Sequence, residues 1–259
     1  MTSAKQDLRI YQNPFRLAEA AADFFVRKAI RAINEQGFFS VLLAGGSTPR
    51  EIYRHLAESS LLGRGFWKNI YLFWGDERCV PPDDSNSNYL MVLQSLLERV
   101  PIPSENVFRI RGELDPQIAA DRYEQDIRNS FAQKGSGVGD QPAFDLILLG
   151  MGTDGHTASL FPGSAALNET TKLVVAVEHI HPPPPLVPRV TATPVLINAG
   201  LQIVFLVTGK EKSERLEQVL SGPNHPGQLP AQIVRPYNGH VTWFVDQPAA
   251  SRLSKEDQS

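Results

Sequence analysis

The segment from Gly150 to Pro162 contains the best candidate for acid–base chemistry in this 259-residue chain. It reads Gly-Met-Gly-Thr-Asp-Gly-His-Thr-Ala-Ser-Leu-Phe-Pro, so that three glycines precede His156. A neutral imidazole can take a proton from water near pH 7, and glycines allow the backbone to approach a ligand closely. A lone histidine more often caps its own loop. The glycines nevertheless favour the interpretation of His156 as a catalytic base.

A second cluster, Gly45-Gly46-Ser47-Thr48-Pro49, has the composition of an anion-binding turn. Its glycines would let backbone N–H groups face an anion, Ser47 or Thr48 could cap a following helix, and Pro49 suits the first turn of that helix. Because a helix N-terminus carries partial positive charge, the cluster predicts a phosphate-binding turn. A capped turn without a ligand is the alternative, since the sequence differs from the P-loop pattern.

Four charged residues could complete such a site. Asp76 and Arg78 follow an apolar run; Asp76 suits an acid–base or orienting role, and Arg78 could clamp an anion. Arg189 and Lys212 could join Arg78 to form the positive side of a phosphate pocket. Taken singly, each is better explained as a solvated charge. Cys79 adjoins Arg78 and could act as a thiolate nucleophile, but a small buried cysteine without chemistry is the favoured interpretation.

The elements that must position these residues alternate along the chain. Short apolar runs predict strands over residues 38–44, 70–74, 144–149, 173–177, 203–207 and 241–245. Amphipathic spacing predicts helices over residues 14–34, from the glycine turn to about 55, and over 89–99, 115–131 and 210–220. Loops are expected at residues 81–88, at the glycine-rich 135–142, which should be a flexible surface loop, and at the proline-rich 181–188, which should be an extended connector.

This alternation predicts an α/β fold with a mostly parallel central sheet. Ligands bind beyond the carboxyl ends of the strands in such sheets, and the polar clusters follow the predicted strands. The sequence shows no internal repeat and no break in composition, so we expect a single domain over residues 1–259 with a core of about 10–250.

Composition excludes several classes of protein. Hydrophobic residues make up 42% of the chain and charged residues 20%, as in ordinary globular proteins. A net charge of -3 argues against broad nucleic-acid binding. The sole cysteine, Cys79, excludes an intramolecular disulfide, and no signal peptide or membrane-spanning run is recognisable. We therefore expect a cytoplasmic protein without membrane contact. Paired histidine or cysteine motifs for a metal and a Gly-x-Ser-x-Gly elbow are also absent from the sequence.

Taken together, the clusters resemble the 6-phosphogluconolactonase family, which also includes glucosamine-6-phosphate isomerases. The resemblance covers nearly the whole chain, and the His156 segment is its most specific part. Its other motifs are Ala44-Gly-Gly-Ser-Thr-Pro, Trp74-Gly-Asp-Glu-Arg-Cys-Val-Pro, Ser87-Asn-Tyr, Arg189-Val-Thr-Ala-Thr, Thr208-Gly-Lys-Glu-Lys and Pro230-Ala-Gln-Ile-Val-Arg-Pro. Two features depart from the family pattern: Ala192 replaces a leucine, and the proline run before Arg189 is unusually long.

The resemblance implies a fold and an activity. The fold would be a Rossmann-like three-layer α/β domain, similar to glucosamine-6-phosphate deaminase and ribose-5-phosphate isomerase. The activity would be hydrolysis of 6-phosphogluconolactone in the oxidative pentose phosphate pathway, without metal or other cofactor. Because members of the family act in that pathway, the resemblance also predicts functional coupling to glucose-6-phosphate dehydrogenase.

Roles can be carried over to matching positions. His156 would be the catalytic base and Asp76 its polar partner, while Arg78 and Lys212 would bind the substrate phosphate. The remaining substrate-binding positions expected near the phosphate or sugar are Gly45, Gly46, Ser47, Asp154 and Arg189.

Two other functions remain open on this sequence. The related deaminase has Asp-Gly-His followed by Ile-Ala-Phe-Asn-Glu-Pro and needs that glutamate to support ring opening by its histidine. Here Thr-Ala-Ser-Leu-Phe-Pro follows His156, which argues against a deaminase or isomerase. A sugar-phosphate sensor without turnover would usually carry a DNA-binding helix-turn-helix, and we expect none ahead of the first core helix.

Overall fold

A parallel sheet forms the centre of the fold. The computed structural model describes residues 7–59, 63–135, 141–179 and 184–254. Within them the strands, in chain order, are β1 (Asp7–Tyr11), β2 (Phe39–Leu43), β3 (Ile70–Trp74), β4 (Asp76–Arg78), β5 (Val107–Phe108), β6 (Leu146–Gly150), β7 (Val174–Val177), β8 (Arg189–Ala192), β9 (Gln202–Val207) and β10 (His240–Asp246).

Seven of the described strands pair in the order β1-β10-β9-β6-β2-β3-β5. All their pairings are parallel, and helices cover both faces, as the Rossmann-like prediction requires. After β2 the chain builds β3 and β5 on one side, and it then returns to add β6, β9 and β10 on the other side. The boundary between β2 and β6 is therefore the topological switch point, where an open α/β sheet forms its ligand crevice.

The helices follow the amphipathic pattern of the sequence. They are α1 (Pro14–Gln36), α2 (Ser47–Glu58), α3 (Arg64–Trp67), α4 (Asn88–Val92), α5 (Pro116–Lys134), α6 (Pro194–Asn198) and α7 (Ser213–Ser221). Helix α1 begins after Asn13, whose side chain accepts a hydrogen bond from the Arg16 N–H, and it ends at Gly37 in the left-handed conformation. Both ends thus depend on residues suited to capping.

A small antiparallel sheet is the main feature that the sequence did not predict. Its three strands pair in the order β4-β8-β7, and strand β4 continues almost directly from β3. We expected residues 76–78 only to follow a strand, and we expected 173–177 to belong with the other strands of the fold. In the structure both segments flank β8, whose mixed sequence Arg-Val-Thr-Ala gives no clear apolar run.

Several boundaries also differ from the prediction. The helix expected over 89–99 is α4 followed by one π-helical turn, Leu93–Leu97. The edge strands β1 and β5 were missed, because β1 contains no continuous apolar run and β5 has two residues. Parts of two predicted loops, residues 136–140 and 180–183, lie outside the described residues. Buried apolar side chains from both sheets, such as Phe73, Phe205 and Val190, belong to one hydrophobic cluster. No helix within the described ranges is long and apolar enough to cross a membrane.

Candidate active site

A cavity of about 270 Å³ opens at the carboxyl ends of β2 and β6. These strands are in register at Val41–Leu146 and Leu42–Ile147, and their last residues line the cavity. Seven of the nine predicted site residues also line it: Gly45, Gly46, Asp76, Arg78, His156, Arg189 and Lys212. The turns after β2, β3 and β6 therefore meet as the α/β prediction required.

Two buried tyrosines fix the strand ends from which these turns start. The Tyr53 hydroxyl donates to the Ala44 carbonyl (2.8 Å) and accepts from the Ala44 N–H (3.1 Å). The Tyr123 hydroxyl makes the same pair of bonds to the Trp74 carbonyl (2.9 Å) and N–H (2.6 Å). Burial raises the pKa of both tyrosines, so that each hydroxyl keeps its proton. Each tyrosine thus supplies hydrogen bonds that a neighbouring strand would otherwise provide.

His156 is paired with Asp154. Nδ1 of His156 lies 2.6 Å from Oδ1 of Asp154, which also accepts from the His156 backbone N–H at 3.1 Å. Burial would raise the pKa of Asp154, but the hydrogen bond and the charge of His156 outweigh it and lower that pKa. A carboxylate at Nδ1 holds the proton on that nitrogen and leaves Nε2 as the basic ring atom.

The loop conformation depends on small residues. A Cβ on Gly152 would overlap both His156 Nδ1 and the Asp154 carboxylate, and Gly155 has a φ of 86°. The Gly152 N–H also donates to the His156 carbonyl at 2.8 Å. Glycine at these positions therefore permits the histidine and the aspartate to meet over a two-residue spacing.

Asp76 does not have the contact that we expected. Its Oδ2 accepts from the Ser159 hydroxyl at 2.6 Å, and its Oδ1 accepts from the Asn88 amide at 3.3 Å. Asp154, which we had expected to be a substrate ligand, instead occupies the place of polar partner to His156. Asp76 still lines the cavity, where it links the small sheet to the His156 loop.

Arg78 and Arg189 are cross-strand partners in the antiparallel pair β4–β8. The Nε atoms of both are buried and lack a hydrogen-bond partner among the described residues. Their other contacts are to backbone carbonyls: Arg189 Nη2 donates to Pro185 at 3.0 Å, and Arg78 Nη1 donates to Asn86. Burial lowers the pKa of Arg189. Like charges opposite each other destabilise a sheet, so this arrangement suits a site that receives an anion.

Lys212 adds a third positive charge to the same cavity. It ends the 3₁₀ turn Lys210–Lys212 that follows Gly209, and the Gly209 N–H is held by the buried Asp246 carboxylate at 3.1 Å. Burial lowers the pKa of Lys212, and the nearby carboxylates of Glu211 and Asp154 oppose this shift.

The N-terminus of α2 differs in detail from the prediction. Gly46, with a φ of 105°, is the N-cap residue, and no side chain caps the helix. Neither expected cap forms: Ser47 is exposed and does not line the cavity, and the Thr48 hydroxyl is hydrogen-bonded to that of Thr208 at 2.7 Å. The first N–H groups of a helix have no partner within it, so these donors remain suited to an anion.

The comparisons with known proteins agree with this geometry. The family model described as glucosamine-6-phosphate isomerases/6-phosphogluconolactonase matches residues 12–243. This chain belongs to that family.

Relatives of the family match over almost the whole chain. The protein named probable 6-phosphogluconolactonase 3, chloroplastic, from Oryza sativa subsp. indica is 39% identical over 95% of this chain and 76% of its own length. The solved structure of 6-phosphogluconolactonase from Trypanosoma brucei is 32% identical, with a TM-score of 0.84 over 97% of this chain and all of that chain. A monomeric glucosamine-6-phosphate deaminase, 23% identical with a TM-score of 0.76 over 95% of this chain and 99% of its own, shares the fold.

In this family member the structure adds site residues that the sequence did not single out. Asn88 lines the cavity, donates to the Asp76 carbonyl at 2.9 Å, and lies where a Cβ on Gly45 would overlap it. The Phe161 ring lies 4.8 Å from the His156 ring, centroid to centroid. Both residues stand within family motifs, but only the folded chain shows what they touch.

Cys79 is a poor candidate for a nucleophile. Burial, together with the Glu77 carboxylate, raises the pKa of this thiol to about 11. The thiolate is the reactive form, so Cys79 stays protonated near neutral pH. Among the described residues no group of three or more histidine, cysteine, aspartate or glutamate side chains is arranged to hold a metal.

Proposed function

We propose that this chain hydrolyses 6-phospho-D-glucono-1,5-lactone to 6-phosphogluconate in the oxidative pentose phosphate pathway. Its family membership and the relatives named 6-phosphogluconolactonase support a lactone-hydrolysing enzyme, a carboxylic ester hydrolase. The observation that carries the proposal is one cavity that combines a carboxylate-supported histidine with two facing arginines, Arg78 and the buried Arg189.

The positive side of the cavity would hold the substrate phosphate. Arg78, Arg189 and Lys212 provide cationic donors, and the uncapped start of α2 at Gly46 adds backbone N–H groups. A phosphate dianion in the cavity would offset the positive charges of both arginines and accept hydrogen bonds from their guanidinium groups. Anchoring the phosphate end restricts the sugar ring, so that its carbonyl is held near the base.

His156 would act as the general base. Nε2 takes a proton from water while the water oxygen bonds to the lactone carbonyl carbon, which gives a tetrahedral oxyanion. The C–O bond to the ring oxygen then breaks, and His156 returns the proton to that oxygen. Asp154 stabilises the imidazolium between these steps. Backbone N–H groups of the glycine turns would donate hydrogen bonds to this oxyanion.

Phe161 favours hydrolysis over deamination. Counted from His156, Phe161 occupies the position of the glutamate in the deaminase segment, and its ring packs beside the imidazole. Among the described residues that line the cavity, Asp76 supplies the carboxylate, and this carboxylate accepts a hydrogen bond from the Ser159 hydroxyl. A carboxylate that could assist ring opening is thus replaced by an apolar ring.

Other expectations remain predictions. These are the single domain over residues 1–259, action without metal or other cofactor, absence of nucleic-acid and membrane partners, and coupling to glucose-6-phosphate dehydrogenase. The cytoplasmic location is also a prediction, since the rice relative's name places that protein in the chloroplast.

The test is a lactonase assay on freshly made substrate. Glucose-6-phosphate dehydrogenase generates the lactone, and its loss is compared with the spontaneous rate. We expect wild type to accelerate the loss and His156→Ala to reduce kcat by about 10²–10⁴-fold while still binding 6-phosphogluconate. His240→Ala, an exposed position at the start of β10, is the matched control. Unchanged kcat in His156→Ala, or ammonia release from glucosamine 6-phosphate, would contradict the proposal.

A further inference from the structure

Glu77 is a buried carboxylate between two residues of the cavity. Its side chain is 2% exposed, and it does not itself line the cavity. Oε1 accepts from the backbone N–H groups of Arg78 and Asn88, both at 2.7 Å. Oε2 accepts from the Tyr89 N–H at 2.7 Å and from the Ser87 hydroxyl at 3.1 Å.

All four of these partners of Glu77 are donors. An ionised carboxylate accepts hydrogen bonds at both oxygens and donates none, so the pocket is built for the charged form. Burial raises the pKa of Glu77, while the N–H groups of Asn88, Tyr89 and Arg78 oppose that shift. Charge-assisted bonds of this kind are roughly twice as strong as neutral ones, which makes the carboxylate a strong tie between β4 and the start of α4.

The two ends of this tie carry cavity side chains. At one end is Arg78, whose guanidinium belongs to the arginine pair. At the other is Asn88, whose amide donates to the Asp76 carbonyl at 2.9 Å and packs against Gly45. The eight residues between β4 and Ser87 form a loop, so without Glu77 the hydrogen bonds that join β4 to the start of α4 would be those of the Asn88 amide to Asp76.

We propose that Glu77 is a positioning residue for the phosphate-binding half of the cavity. It fixes Arg78 and Asn88 relative to each other and acts on the substrate only through them. This inference rests on the proposed function, since it assigns the arginine side of the cavity to the substrate phosphate. Asp154 and His156 lie on the loop after β6, outside the contacts of Glu77.

Glu77→Gln tests this role with the smallest change of shape. An amide has one acceptor oxygen and one NH₂ donor. In one orientation the NH₂ faces the N–H of Tyr89, and in the other it faces the N–H groups of Arg78 and Asn88. Either orientation opposes donors at close range, so β4 and the start of α4 must separate.

We expect Glu77→Gln to weaken substrate binding and to leave the catalytic step unchanged. KM should rise about tenfold, which corresponds to about 1.4 kcal/mol, and the Kd of 6-phosphogluconate should rise in parallel. The pH profile of kcat should not move. Glu169→Gln is the matched control: its Oε1 also accepts three backbone N–H groups and a hydroxyl, but the residue is partly exposed and outside the cavity. Its KM should equal that of wild type.

Opposite outcomes overturn the proposal. An unchanged KM with a lower fraction of active enzyme would mean that Glu77 only stabilises the fold, and a shifted pH profile would mean that it acts on His156. If Glu77→Gln does not fold, Glu77→Asp, which keeps both acceptor oxygens on a shorter side chain, must still raise KM, and an unchanged KM there overturns the proposal.

A binding measurement separates this inference from the proposed function. Calorimetric titration with inorganic phosphate requires no turnover. If wild type does not hydrolyse the lactone, the proposed function fails, yet a weaker phosphate affinity of Glu77→Gln would still support the positioning role. If wild type hydrolyses the lactone but does not bind inorganic phosphate, the positioning role fails and the proposed function stands.

Discussion

Arg78 and Arg189 lie directly opposite each other on antiparallel strands, with an unpartnered Nε on each guanidinium. Arg189 is 4% exposed, so solvent screens this pair poorly. Repulsion between the two guanidinium groups opposes folding of the free protein, and the Asp76 and Glu77 carboxylates offset part of it. An anion bound beside the two arginines would offset this repulsion. Part of the free energy of substrate binding would then come from removing the repulsion.

We therefore expect inorganic phosphate and 6-phosphogluconate to raise the melting temperature. A ligand at 100 times its Kd stabilises a folded protein by about 2.7 kcal/mol. Arg189→Met should lose most of this ligand-dependent increase, because one half of the anion site is gone. Without ligand, Arg189→Met should melt no lower than wild type, since the variant also removes the repulsion. Thermal denaturation over a ligand titration measures both effects.

Arg252→Met is the control for removing an arginine. Arg252 is exposed, pairs with Glu217 and Glu214, and does not line the cavity, so its ligand-dependent increase should match wild type. An equal response of Arg189→Met and wild type to phosphate would show that the arginine pair is not the anion site.

The pairing of the two arginines could not be read from the sequence. Each was recognised as a basic residue near a predicted strand, which placed both at the same edge of the fold. Their direct opposition depends on the small antiparallel sheet, and the four residues of β8 contain no continuous apolar run. The parallel sheet was predictable because its strands, such as β2 and β9, are fully buried and read as continuous apolar runs.

Asp154→Asn should mainly reduce kcat. The carboxylate holds the proton on Nδ1 of His156 and stabilises the imidazolium, whereas an amide can present its NH₂ to that nitrogen and favour the other tautomer. We expect a loss of at least about tenfold, given that general-base catalysis contributes about 10²–10⁴-fold. The Kd of 6-phosphogluconate should be nearly unchanged. Steady-state kinetics measures kcat and calorimetric titration measures the Kd of 6-phosphogluconate, so that the two effects can be separated.

Asp76→Asn is the informative comparison for this prediction. Asp76 contacts Ser159 and Asn88 and not His156, so its effect should fall on substrate binding and stability more than on the pH profile of kcat. If Asp76→Asn shifts that profile and Asp154→Asn does not, then our initial assignment of Asp76 as the histidine's partner is right.

Gly152→Ala should inactivate the enzyme without unfolding it. A methyl group at this position would overlap the His156 ring and the Asp154 carboxylate, so the pair must separate by rearrangement of the loop. We expect a fall in kcat close to that of His156→Ala. Gly227→Ala is the control, because a Cβ there meets no atom within 4 Å and its backbone φ is not positive. Equal activity of the two variants would contradict a fixed histidine–aspartate pair.

The glycine spacing around His156 was visible in the sequence, but its purpose was not. Glycines before a histidine suggested backbone close to a ligand. In the structure, Gly152 instead makes room for the imidazole, and Gly155 allows the tight turn that returns it to Asp154. The resemblance assigned Asp76 as its partner, and it is the turn geometry that brings Asp154 to the imidazole.

Lys212 should make substrate binding weaken at alkaline pH. Burial lowers its pKa from the ordinary 10.5, so Lys212 loses its charge at a lower pH than an exposed lysine. The protonated form attracts the phosphate; affinity is therefore full below the lowered pKa and decreases as pH rises through it. The Kd of 6-phosphogluconate, which avoids the instability of the lactone in alkali, should increase over this range. In Lys212→Met the affinity should be weaker at neutral pH and flat across the same range, and a wild-type Kd that does not change with pH would show that Lys212 does not bind the phosphate.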